Sequence, residues 1–157
     1  MNKIIYRLLS AALVVSLAAG IPFRAHAAAS VYYVSPAGSD ANAGTLSAPF
    51  KTIQKAASRA VAGDTIVLLA GKYTGVHTAT LKGTSAAPLT LLGNGAVFDG
   101  GSLVLKNSEW LVVQGLTFRN AVDQITVLSS HYVIFRNNVF DFSHAGILVK
   151  EYSSHLL

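Results

Sequence analysis

Apolar residues recur in register when the chain is laid against itself at an offset of 22. Leu81, Leu103, Ile125 and Ile147 form one column, and Val67, Leu89, Leu111 and Val133 a second. Leu69, Leu91, Val113 and Phe135 make a third, Leu105, Val127 and Val149 a fourth, and Phe118 with Phe140 a fifth. Chance can supply one such column, but several in the same register require a structural repeat. Within each repeat the apolar residues alternate, as in Leu103 and Leu105, Leu111 and Val113, Leu116 and Phe118. Alternation at period two predicts short strands with one face buried.

Turn-forming residues separate these strands: Asn107-Ser108, Gln114-Gly115, Asn120, Ser129-Ser130, Asn137-Asn138 and His144-Ala145-Gly146. Three short strands and three bends in about 22 residues predict a coil that buries its apolar face only by stacking on its neighbours, the pattern of a parallel β-helix. A β-sandwich of short strands explains the alternation but not the fixed register. Arg136-Asn137-Asn138 then falls at a corner, not in mid-strand. Gly115 stands opposite Asn137, and both residues tolerate left-handed backbone angles. Leu116 stands opposite Asn138, so an asparagine ladder has to begin at Asn138.

Residues 28–65 fall outside the repeat and form a capping region ahead of the coils over 66–157. Val31 to Val34 reads as a strand, and Ser35 to Gly44 is a loop by composition. A helix is expected from Ala48 to Val61, with Pro49 in its first turn and Phe50, Ile53, Ala57 and Ala60 on one face. It would cover the open apolar end of the stack. Asp40-x-Asn42-x-Gly44 has half the oxygens of a calcium loop, and reads more simply as an Asx-turn.

The first 27 residues change the charge argument. Lys3 and Arg7 precede the apolar run Leu8 to Ile21, and Ala25-His26-Ala27 follows. That order predicts a secretory signal peptide cut after Ala27, with the rest of the chain secreted or periplasmic and free of the membrane. Of the 12 basic residues, Lys3, Arg7 and Arg24 leave with it, so 9 remain against 7 acidic ones and the formal charge falls from +5 to +2. No basic patch suited to nucleic acid remains. The chain has no cysteine, so burial and hydrogen bonding must hold an exported fold.

"YYVSPAGSDANAGTLSAPFKTIQKA" with "AGDTIVLLAGKYTG" resembles the N-terminal segment of secreted right-handed parallel β-helix proteins of the pectate-lyase-like superfamily, above all family nine pectate lyases. "WLVVQGLTF" and "YVIFRNNVF" resemble ordinary coils of such proteins. The resemblance runs from Tyr32 to the end. It implies β-elimination on uronic-acid polysaccharide such as pectin, in which calcium neutralises a uronate carboxylate and a lysine or arginine removes the C5 proton. It places the groove on the sheet of the Leu103, Ile125 and Ile147 strands.

The outward positions of that sheet are expected to be Val104, Thr126 and Leu148, with Ser102, Gln124 and Gly146 before them and Lys106, Leu128 and Lys150 after. None is a carboxylate. Asp123 precedes the strand, and Asp99 is expected in the matching loop one coil earlier. Two aspartates fall short of the oxygens that calcium takes, so no metal site and no cofactor is expected in this chain, with calcium left to a full-length relative. Lys106, Asp123 and Lys150 are the candidate contacts for an acidic polysaccharide, although two solvated lysines keeping a sheet soluble explain Lys106 and Lys150 as well. Arg119 and Asp141 share a column and predict a surface ion pair across coils. Histidines 77, 131, 144 and 155 are scattered. Tyr32, Tyr33, Tyr73 and Trp110 suit sugar stacking or packing.

"SSHYV" at 129–133 recurs as "SSHLL" at 153–157, a spacing of 24. The chain then stops inside a coil with no capping element. The expectation is an N-terminal piece of a longer lyase-like protein, inactive at this length, which self-associates through its open last coil. A non-catalytic β-helix that binds carbohydrate is the alternative.

Overall fold

The structure is a computed structural model describing residues 28–141, 145–150 and 154–156. The expected signal segment 1–27 lies outside the described residues. The described chain is all-β apart from one short helix: β1 (Val31–Val34), α1 (Ile53–Ala57), β2 (Thr65–Ala79), β3 (Leu89–Lys106), β4 (Glu109–Gln114), β5 (Thr117–Arg119), β6 (Asp123–Leu128), β7 (His131–Arg136), β8 (Val139–Asp141), β9 (Ala145–Lys150) and β10 (Ser154–Leu156). All the strand pairings are parallel.

The strands wind into about four coils with three faces. β2 and β3 each run around two corners as a single strand and make the first two coils. β4-β5-β6 make the third and β7-β8-β9 the fourth. The first face stacks β1, residues 65–69, residues 89–92, β4, β7 and β10. The second carries residues 71–73, residues 97–99, β5 and β8. The third carries residues 75–79, residues 101–106, β6 and β9.

On the first and third faces the 22-residue register holds from the second coil on, since Leu89, Leu111 and Val133 share a rung column, as do Leu103, Ile125 and Ile147, whereas on the second face Phe98 pairs with Phe118, an offset of 20. The first coil is longer. Ile66, not Leu69, pairs with Leu91, and His77, not Leu81, pairs with Leu103. Val67 pairs with Leu92 rather than Leu89. The extra residues lie in the loop after Ala79, since at the Tyr73/Gly75 shift the added residue belongs to the second coil, between Phe98 and Gly101. The last repeat is also shifted: Ser154 pairs with His131 and Leu156 with Val133, a spacing of 23 rather than 24.

The core is the sum of these columns. Ile66, Leu91 and Val113 are fully buried, as are Leu89, Leu111 and Val133. The second face contributes an aromatic column that begins at Tyr73. Its rings stack with centroids 5.3 Å apart to Phe98, 4.6 Å from Phe98 to Phe118 and 5.5 Å from Phe118 to Phe140.

Corners are closed by short polar side chains that bond the coil before. Ser108 Oγ accepts the Leu81 N–H at 3.1 Å, and Ser130 Oγ accepts the Ser108 N–H at 3.0 Å. Asn138 does the same at the next corner: its Oδ1 accepts the Leu116 N–H at 3.0 Å and its Nδ2 donates to the Val113 carbonyl at 2.9 Å. The neighbouring corner residues Gly115 and Asn137 have φ of 70° and 52°, the left-handed conformation these residue types adopt at least cost.

The helix is shorter than the apolar spacing predicts. Phe50 is not in it: its N–H donates to Tyr33 and its carbonyl accepts from Ser35, so it forms a rung on β1. α1 starts only after Thr52, whose Oγ accepts the Lys55 N–H at 3.1 Å, and Ser58 Oγ closes the far end on the Lys55 carbonyl. Ile53 and Ala56 are buried, and Ala57 and Ala60 pack beside them, so the segment still covers the first coil. The Asp40 loop is a clasp for this start. Asp40 Oδ1 accepts the Lys51 and Thr52 N–H groups, both at 2.9 Å, and Oδ2 accepts the Thr52 hydroxyl at 2.8 Å. Partial burial pushes the Asp40 pKa up, but these hydrogen bonds outweigh it and hold the carboxyl below its ordinary value. Gly44 sits at φ +82° against the Phe50 ring, where a Cβ has no room.

Candidate functional site

The third face is an open parallel sheet, and the structure sorts its candidate residues into two groups. Lys106, Leu128 and Lys150 share one rung column at the downstream edge of the face. Lys106 and Lys150 are exposed and two rungs apart, about 10 Å at the usual strand spacing. Asp123 opens β6 at the opposite edge, in register with Ala145. Five residues of strand separate it from Leu128, about 16 Å at 3.3 Å per residue. The two lysines are therefore brought onto one edge, and Asp123 is not brought to them.

Between these edges, Val104, Thr126 and Leu148 share the outward column and are half-buried. Gln124 corrects the expectation of an outward residue. It is fully buried beside Ile125, because the chain turns the corner there and two successive side chains face inward. Its Nε2 donates to the Asp141 carbonyl at 2.9 Å, and its Oε1 has no partner among the described residues.

Asp99 lies on the second face, in register with Arg119 and not with Asp123. Its Oδ2 is 3.0 Å from Lys72 Nζ and 3.4 Å from Arg119 Nη2, while Oδ1 accepts Asn120 Nδ2 at 2.7 Å. The hydrogen bonds from Asn120 and then Lys72 hold its carboxyl below the usual range, with the two cations adding to them. Arg119 and Asp141 occupy one column as expected, but the ion pair of Arg119 runs to Asp99 in the coil before. Tyr73 and Trp110, which suit sugar stacking or packing, take different places. Tyr73 is a core residue whose hydroxyl donates to the Val34 and Leu69 carbonyls at 3.0 Å. Trp110 and Tyr132 stack on each other, with centroids 3.9 Å apart and planes 6° from parallel, at φ of 48° and 55°.

Among the described residues the third face does not fit calcium. The ion takes six to eight oxygens, several from carboxylates, whereas the outward positions here supply lysine, leucine, valine and threonine. Among the described residues no three of His, Asp or Glu come together.

Residues 32–157 match the family described as Pel9A-like, right handed beta helix region. The chain belongs to this family. The Pel9A-like chain is 42% identical over 79 residues to pectate lyase PEL9 of Emericella nidulans, covering 49% of this chain and 18% of the relative. It is 33% identical over 121 residues to the uncharacterized protein YwoF of Bacillus subtilis, covering 77% of this chain and 22% of that protein. It thus spans about a fifth of the length of the curated relatives it matches. Two solved structures share the fold. A rhamnogalacturonan lyase matches with a TM-score of 0.53 and 18% identity over 69% of this chain and 36% of that one. The GH136 lacto-N-biosidase of Eubacterium ramulus matches with a TM-score of 0.54 and 17% identity over 70% and 26%.

One further group of residues in this Pel9A-like chain escapes sequence reasoning. Lys51, Lys72 and His77 are 26 residues apart end to end and fall in no common column, yet they line one cleft. The only signal for it is the polar His77 in an otherwise apolar column, and that signal appears only once the first coil's longer register is known.

Proposed function

We propose that this chain is the N-terminal portion of an extracellular Pel9A-like protein that holds an acidic polysaccharide along its third face, and that the full-length protein cleaves a uronic-acid polymer by β-elimination. The observation that carries the binding part is the shared column of Lys106 and Lys150 on the open sheet. Membership of the Pel9A-like family and the likeness to pectate lyase PEL9 support the lyase part. At this length the chain binds without cleaving. A proton abstraction needs a positioned base beside a neutralised carboxylate, and Asp99 and Asp123 stand on different faces, each away from the two lysines. That separation also favours the alternative of a non-catalytic β-helix that binds carbohydrate.

Incubation with polygalacturonate and calcium is expected to give no rise in unsaturated-uronide absorbance. Binding of the same polymer is expected to weaken about two- to thirtyfold in the Lys106→Ala, Lys150→Ala double variant, since two exposed ion pairs contribute about 0.2–1 kcal/mol each. Product release by the chain alone would sink the binding-only reading at this length. Unchanged polymer affinity in the double variant would sink the assignment of the face.

The same proposal includes self-association. Phe140, Ile147 and Val149 occupy inward columns of the last described coil yet are 36%, 37% and 42% exposed. Stacking a second copy against this end buries those side chains. Light scattering on residues 28–157 is expected to report dimers or larger species, and the Phe140→Lys, Val149→Lys double variant to shift them toward monomer. A monodisperse monomer of the unsubstituted protein would contradict this.

A further inference from the structure

At the corner between the first and second faces, the second coil carries two residues that the third lacks. Leu92 pairs with Gln114 and Val97 with Thr117, so residues 93–96 stand where the third coil has only Gly115 and Leu116. The fourth coil repeats the shorter corner with Asn137 and Asn138. Asn94 and Gly95 make up the surplus, and both are exposed. Leu91 on one side and Ala96 and Phe98 on the other are buried. The corner is thus anchored at both ends while the dipeptide projects. Gly95 has φ +75°. Chain neighbours aside, only Ala70 of the first coil lies within 4 Å of the place its Cβ would take, among the described residues.

Asn94 is the only asparagine of the chain followed by glycine, and the other described asparagines are held or followed by a committed residue. Nδ2 of Asn42 donates to the Pro49 carbonyl at 2.9 Å, that of Asn120 to Asp99 at 2.7 Å, and that of Asn138 to the Val113 carbonyl at 2.9 Å. After Asn107, the Ser108 N–H donates to Ser130 Oγ at 3.0 Å. After Asn137 comes Asn138, whose side chain is tied to the coil before at both ends. Glycine has no side chain to shield its own amide nitrogen, and its backbone is the least restricted.

We propose that Asn94 is a site of spontaneous deamidation in the folded protein. The Gly95 nitrogen bonds to Asn94 Cγ, the Cγ–Nδ2 bond breaks, and ammonia leaves with the proton that the Gly95 nitrogen gives up. Water then opens the resulting succinimide at one of its two carbonyls. The products are aspartate and isoaspartate, the latter with the main chain rerouted through the side chain. Nothing is oxidised or reduced. Either product places a carboxylate, ionised at neutral pH, on an exposed corner. Isoaspartate adds a methylene to the main chain, and the surplus length of this corner gives it room. The matching route is closed at Asp99-Gly100, because the Asp99 oxygens are divided among Lys72, Arg119 and Asn120 and an ionised carboxylate is a poor acceptor for the amide nitrogen. The site is independent of the third-face lysine column.

The test is peptide mass mapping of residues 28–157 kept folded in mildly alkaline buffer, beside the same protein unfolded in urea. The peptide holding Asn94 is expected to gain one mass unit at least about tenfold faster than any peptide holding another asparagine. An isoaspartyl O-methyltransferase is expected to label the same peptide. The rate should rise from neutral to alkaline pH, as base removes the Gly95 amide proton, and folding should slow it by no more than about tenfold. Asn94→Gln, at an exposed position, is expected to keep the fold and to abolish both signals, since glutamine closes the larger ring far more slowly. Protection of Asn94 by folding beyond that factor, a rate no faster than at the other asparagines, or a mass gain or label that persists on this peptide in Asn94→Gln would each overturn the proposal.

Discussion

Replacing Phe118 with alanine is expected to remove a large share of the stability of the chain. Phe118 is fully buried and lies between two rings of the same column, Phe98 at 4.6 Å and Phe140 at 5.5 Å. Truncating a buried phenylalanine costs about 3–5 kcal/mol, from lost transfer free energy plus the cavity left behind. A domain of this size has only about 5–15 kcal/mol in total. In a solenoid the loss is also poorly shared, because each coil touches only its two neighbours. Phe118→Leu keeps much of the volume and is expected to cost about 1–2 kcal/mol. Phe140→Ala, at a position 36% exposed, is expected to cost less than half of Phe118→Ala. Urea unfolding followed by circular dichroism measures all three. A Phe118→Ala variant within 1 kcal/mol of the parent would show that the column is packing decoration rather than the core.

Asp64→Ala is expected to have the next largest effect, through hydrogen bonding rather than volume. Asp64 is 2% exposed. Its Oδ1 accepts the Ser30 N–H at 2.7 Å and its Oδ2 the Val61 N–H at 2.8 Å. Its own carbonyl accepts the Thr90 N–H of the second coil at 3.0 Å. One side chain thus ties the segment before β1, the segment after α1 and the first coil together. Removing it leaves two donors short of partners at about 1–3 kcal/mol each. Asp64→Asn retains one acceptor oxygen and turns two donors toward Val61 or Ser30, so an intermediate loss is expected. Amide exchange should accelerate first at Ser30 and Val61, which separates local detachment of the cap from global unfolding. Unchanged exchange at both amides in Asp64→Ala would reject the clasp.

Much of this fold is legible in the chain because a solenoid repeats one local problem. Leu103, Ile125 and Ile147, or Leu111 and Val133, meet the same environment once per coil, so the same residue type returns at the same offset. Where a coil departs from the common length, that logic fails. Leu69 and Leu81 match the 22-residue spacing by chance, while Ile66 and His77 hold the actual rungs. Nothing local to those residues encodes the added length, which is absorbed in the loop after Ala79. Gln124 fails for a related reason: alternation predicts it outward, but a corner places two consecutive residues inside. The helix of residues 48–61 shrinks to Ile53–Ala57 because Phe50 uses its backbone to pair with β1, a partner 16 residues away that helical spacing does not register.

The candidate site divides the same way. The Lys106 and Lys150 column follows from the repeat alone, and the structure keeps it. The distance of Asp123 from that column, the withdrawal of Asp99 to the second face with Lys72 and Arg119, and the cleft of Lys51, Lys72 and His77 depend on how far each coil turns before the next begins. Sequence by itself determined the apolar columns, the corners at Gly115 and Asn137, and the family, because those are fixed by contacts between equivalent positions of successive coils. Only the tertiary structure decided which charged side chains meet. Their encounters are made across faces and across coils of unequal length, and the winding angle that sets them is the accumulated result of every residue in between.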